Sequence, residues 1–138
     1  MNNKQLQGIR IVLGIFTLIN LVMGLAAFGP QNILVKFIAL FYGASIELTP
    51  QLTHVIRMFG AMNLAMAFLG LMGVKDPLKN KLAIEVAIVL LVLRGVEMLV
   101  YIKDIVNYFS IPQARVLQNA ASFFIMVILL AIFRPKAQ

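Results

Sequence analysis

Four long apolar blocks separated by short polar stretches set the rhythm of this chain, covering about 11–28, 52–74, 82–102 and 116–133. Each is about 18–23 residues, enough to cross a ~30 Å hydrocarbon core at ~1.5 Å per residue. Backbone amides in lipid must be satisfied within their own segment, so each block predicts a helix. The alternating ten-residue pattern of a membrane barrel does not occur.

The breakers fall between the blocks. Gly29-Pro30 closes the first and Pro50 precedes the second. Gly73, Asp76-Pro77 and Asn80 mark a tight turn before the third. Ser110-Ile111-Pro112 introduces the fourth, and Arg134-Pro135 ends it. Between the first two blocks, residues 31–44 place Ile33, Leu34, Phe37, Ile38 and Phe41 at helical spacing, with Asn32 and Lys36 turned elsewhere. This piece is too short to span, and it predicts an amphipathic helix lying in the interface or re-entering it. The fold expected is therefore all-α: a polytopic membrane protein with an antiparallel four-transmembrane-helix bundle and a short outer amphipathic helix. No internal repeat or linker divides residues 1–138, so a single domain is expected.

Composition agrees with lipid as the solvent. Of the 138 residues 62% are hydrophobic and 12% charged, and the mean hydropathy is +0.96. Soluble domains run at about 45–50% apolar and about 25% charged, and a sphere of this size cannot hide the excess. Disorder is excluded on the same ground. The first block follows Lys4 and Arg10, as a secretory signal would. Its apolar core exceeds the usual ~7–15 residues of such signals, so a retained helix is expected.

The net charge of +7 would suggest nucleic acid in a soluble protein. Here the bases stand between apolar blocks and at the ends, without the aromatic-studded patch of a nucleic-acid surface. They set orientation instead. Lys4, Arg10, Lys75, Lys79, Lys81, Arg134 and Lys136 lie on one side, against Lys36, Lys103 and Arg115 on the other. Both termini are thus expected in the cytoplasm, with the protein in a bacterial inner membrane.

Candidate chemistry lies in the ionisable groups within spans, each costly at depth unless paired. Glu85 is close enough to its helix end to reach headgroups or to pair with Lys81. His54 and Arg57 share a face of the second span, and Arg94 and Glu97 share one of the third. Arg57 lies ~9 Å and Glu97 ~8 Å inward from the same membrane face, which predicts an Arg57–Glu97 ion pair with Arg94 a turn deeper. Asn20, Asn63, Tyr101, Asn119 and Ser122 converge on the same half of the membrane. Two Arg facing one Glu leave one formal positive charge, which suits a quinone, a lipid headgroup or a partner's carboxylate. The set Arg57, Arg94, Glu97, His54, Asn20 and Asn119 is the expected ligand site. Structural ion pairing and interhelical polar glue are the alternative reading of the same residues.

Small residues Gly60, Ala61, Ala65, Ala67 and Gly70 line much of the second span and permit close helix approach. Cysteine is absent, which excludes disulfides and thiolate chemistry. One His and few acids argue against a metal cage, and the eight Met read as packing or lipid-facing residues. No nucleophile–base set or phosphate loop occurs. No cofactor is evident beyond the quinone or lipid already considered.

The stretch Arg57-Met-Phe-Gly-Ala-Met-Asn-Leu-Ala-Met-Ala-Phe-Leu-Gly-Leu resembles the R-x-x-G-(x)-hydrophobic-small-L-G helix of small four-helix bacterial membrane proteins related to DoxX. Phe41-Tyr-Gly upstream, and Leu93-Arg94-Gly95 with Ile111-Pro112 downstream, fit a branch of that group without an assigned activity. The resemblance covers most of the chain and implies a four-helix bundle with Arg57, Gly60 and Arg94 at family-like positions. For DoxX proper it implies a membrane subunit of quinone-linked sulfur oxidation or of thiol and oxidative-stress complexes. This chain adds no redox group, so an oxidoreductase role would be carried by analogy alone. The leading expectation is a non-catalytic accessory subunit, or a lipid- or quinone-binding module, of a larger membrane assembly. The bilayer is its first partner, with a membrane protein or a homo-oligomer as a further one. A quinone-linked oxidoreductase subunit is the alternative. Proton-coupled export is weaker, because the first span has no acid.

Overall fold

A computed structural model describes residues 3–135. Six helices follow one another: α1 (Asn3–Ala27), α2 (Gln31–Tyr42), α3 (Pro50–Lys75), α4 (Lys81–Val100), α5 (Ile102–Phe109) and α6 (Gln113–Phe133). The four longest pack in a cycle, α1 on α3, α3 on α4, α4 on α6 and α6 back on α1. The start of α1 lies beside the end of α6, where a methyl on Gly8 would meet the Phe133 ring. The short helices α2 and α5 lie at the opposite end. Gly43, just past α2, stands against Pro112 and Arg115 at the start of α6.

The elements thus run long–short–long twice, although no sequence repeat announces it. Each short helix ends on a left-handed residue, Gly43 (φ 67°) and Ser110 (φ 52°), which turns the chain back into the next long helix.

Helix ends follow local chemistry. Thr49 caps α3 by accepting from the Leu52 amide at 3.2 Å, with Pro50 in the first turn, where its missing N–H costs nothing. Between α3 and α4, Asp76 Oδ1 accepts from the amides of Leu78 and Lys79. Asn80 Nδ2 donates to the carbonyls of Met72 and Asp76, each at 2.9 Å. The expected tight turn is formed.

Three boundaries differ from the apolar blocks. α1 begins at Asn3, two turns before the apolar run, because its polar first turns continue the same helix. The third block does not run through to 102. α4 stops at Val100, Tyr101 leaves helical geometry at φ −100°, ψ 22°, and α5 starts afresh. The amphipathic run Ile-Lys-Asp-Ile-Val-Asn-Tyr-Phe alternates its faces too sharply to stay in line with a span. α2 is shorter than 31–44, since Gly43 terminates it.

The interior is apolar toward the end that holds the start of α1. Ile9, Val12, Leu13 and Phe16 pack with Met66, Ile84, Ala87, Leu91 and Leu130. Glycines set the spacing of α1 and α3, as a methyl on Gly60 would meet Ala27 and stand 3.3 Å from the Gly24 carbonyl oxygen. Of the small residues of α3, Gly60, Ala67, Gly70 and Gly73 face inward, whereas Ala61 and Ala65 are exposed. The expected small-residue lining therefore divides into two faces.

The outside is as apolar as the inside. Ile11, Leu18, Leu25, Phe68, Leu82, Val89, Leu93, Ile125 and Ile132 are all exposed. Only 33%, 28% and 17% of the apolar windows of α1, α3 and α6 are buried within the molecule. The accessible surface is 8777 Å², against about 7,100 Å² for a water-soluble monomer of this mass. Exposed apolar faces this large on three helices long enough to cross identify a membrane-embedded chain. α4 has the length but carries Lys81, Glu85, Arg94 and Glu97, which set it apart from the other three.

Candidate functional site

Midway along the molecule the core becomes polar. Arg94 points inward from α4 and donates through Nη1 to Asn63 Oδ1 on α3 at 3.1 Å. Its guanidinium carbon lies 5.5 Å from the centroid of the Phe123 ring on α6, within cation–π range. Asn63 is buried, so the pair closes the gap between α3 and α4 on the axis side. No carboxylate stands within ion-pair distance of Arg94 among the described residues.

Tyr42, the last residue of α2, completes the cluster from the loop end. Burial raises its phenol above the ordinary value of 10.0, and the positive charge of Arg94 works against that rise. The ring is brought there by Gly43, whose left-handed backbone lets α2 stop against Pro112 and Arg115.

The expected Arg57–Glu97 ion pair is not formed. Arg57 and Glu97 are both exposed, and no ion pair joins them among the described residues. Arg57 is one turn from Gly60, which is buried on α1, and so lies on the α1 flank of α3. Glu97 is one turn beyond Arg94 on α4, at the opposite side of α3. Similar depth brings them to within about 4.5 Å of one level, but rotation about the helix axes turns them apart.

The remaining expected residues divide in the same way. His54 is exposed at the start of α3. Asn20 is buried but spends its amide on the Phe16 carbonyl of its own helix at 2.8 Å. Asn119 is half-buried one turn before Phe123. Tyr101 and Ser122 are exposed, with Ser122 donating to the Gln118 carbonyl at 2.9 Å. Lys81 and Glu85 make no ion pair among the described residues. Of the six expected ligand residues, only Arg94 therefore stands in the interior cluster with a partner on another helix. Phe123 and Tyr42 were not expected there. An aromatic one helix away has no periodic signature, and Tyr42 was hidden in a helix read only for its amphipathic face.

Chemically, the cluster offers hydrogen-bond donors to an acceptor. A guanidinium carries five N–H groups, and Asn63 takes one of them. Among the described residues, no three of His, Cys, Asp and Glu gather as metal ligands. No family model, curated protein or solved structure matches this chain.

Proposed function

We propose that this chain is a four-crossing integral membrane protein that serves as a non-catalytic lipid- or quinone-binding module of a larger assembly, DoxX-like in plan. In this reading α4 is the fourth crossing, and both termini face the cytoplasm of a bacterial inner membrane. One observation carries the reading: among the described residues, the guanidinium of Arg94, on the axis side of an apolar helix cycle, is met by a neutral amide and an aromatic ring and by no carboxylate. Placing such a charge in a lipid-surrounded interior is costly, and the cost is met when an acceptor oxygen takes the unused donors. A quinone carbonyl or a lipid phosphate supplies that oxygen with an apolar tail suited to the surrounding helices.

Native mass spectrometry after mild detergent extraction tests this. The wild-type protein should retain a quinone or phospholipid, and Arg94→Gln should reduce its occupancy about tenfold, the equivalent of one charge-assisted hydrogen bond. Equal occupancy in both proteins, or no small molecule on a monodisperse wild-type sample, would remove the basis of the reading.

A further inference from the structure

Two charges of opposite sign lie on the outward surface of the helix cycle, and neither has a partner. Arg57 on α3 and Glu97 on α4 are exposed, each within the helical segments and unpaired among the described residues. Within a bilayer such charges gain by meeting each other, because the acyl chains beside them carry no counter-charge. They cannot do so within one chain. Arg57 lies on the α1 flank of α3, and Glu97 stands on the other side, beyond Arg94.

Their heights agree. The Asn63–Arg94 hydrogen bond and the approach of Gly73 to Ile84 fix how α3 and α4 are aligned. In that alignment Arg57 is level with Val100 and Glu97 with Gly60, about 4.5 Å apart in depth. Between the two charges, the outward stripe of α3 presents Ala61 and Ala65 one turn apart, with Met58 and Met72 exposed along it. Small residues four apart let a second helix backbone approach closely.

We infer that this outward face of α3 docks a second copy of the same chain, with Arg57 of each copy pairing with Glu97 of the other. All copies enter the membrane in one direction, so the pairing axis is a twofold along the membrane normal. A twofold of that kind reverses left and right across the interface. The Arg57 flank of one copy therefore meets the Glu97 flank of the other, and two equivalent ion pairs form around an α3–α3 contact at Ala61 and Ala65. The surface is self-complementary, as a closed dimer requires. The inference is independent of the Arg94 site, which faces the interior.

The absence of cysteine from these 138 residues makes the test clean, since an engineered thiol is then the sole thiol among them. Ala61→Cys in native membrane vesicles should give a disulfide-linked dimer on mild oxidation, whereas Leu18→Cys, on the exposed face of α1, should not. Adding Arg57→Glu or Glu97→Arg alone should lower the cross-linked fraction about tenfold, as expected when like charges face each other within a helix contact. The two reversals together should restore it. The milder Arg57→Gln covers the case in which a reversal fails to fold, and it should give a smaller loss in the same direction. Ala61→Cys that links no better than Leu18→Cys overturns the interface. Linking that ignores Arg57→Gln and both reversals overturns the ion pairs.

Discussion

Arg94 carries five N–H donors wherever the fold puts it, so its neighbours must supply acceptors. Asn63 is that acceptor, and its burial is tolerated because Arg94 satisfies it in return. We expect Asn63→Leu to destabilise the protein by about 1–3 kcal/mol in detergent unfolding, because it strands a charged donor. The sequence made both residues visible as polar groups inside apolar blocks, but not that they meet. Tyr42 adds a pH dependence of definite sign. Its raised pKa means that the unfolded chain loses the phenolic proton first as the medium becomes alkaline. The stability it contributes is whole below about pH 10, and it is lost as pH rises through the folded value. Tyr42→Phe should lose that alkaline decline, which thermal unfolding at a series of pH values will measure. A Tyr42→Phe protein with an unchanged alkaline profile would show that the phenol is not buried.

At the level of elements, apolar runs located the helices, and backbone chemistry decided where they stop. The break at Tyr101 lies inside an apolar block, and no single residue there forbids a helix. Only the amphipathic pattern of Ile102–Phe109 could have disclosed it. Ser110 then holds φ 52° without being glycine, a conformation costing an L-residue about 1 kcal/mol. Ser110→Gly should accordingly raise the unfolding free energy by about that amount. A loss of stability would mean that the left-handed turn is not what ends α5. The α1–α3 contact is stricter, because a Cβ added at Gly60 would meet Ala27 Cβ and the Gly24 carbonyl of α1 and not a movable side chain alone. Gly60→Leu should cost about 1–3 kcal/mol by overpacking, and a neutral melting temperature would contradict the close approach.

On the scale of the whole molecule, the cyclic packing brings the start of α1 beside the end of α6. In the proposed reading that placement goes with an even number of crossings, with α4 among them despite its charges. Reporter fusions before Asn3 and after Phe133 should lie on one side, with insertions near Glu47 and Ser110 on the other. Termini on opposite faces would mean that only α1, α3 and α6 cross. If α4 crosses as proposed, Arg94 accounts for how a charged helix is accommodated there. Its guanidinium is turned inward to Asn63 and Phe123, while Leu93, Val96 and Val100 face out.

By itself, the sequence determined the solvent, the helical class and the rough position of each long helix, because apolar length and backbone hydrogen bonding leave lipid-embedded chains few alternatives. It also brought Arg57 and Glu97 to within about 4.5 Å of one level along the packed helices, since level is a count along one axis. Which way each charge turns was decided only when glycine contacts and the Arg94–Asn63 bond fixed the rotation of every helix against its neighbours. Rotation depends on residues from different helices at once, so no periodicity within a single segment contains it.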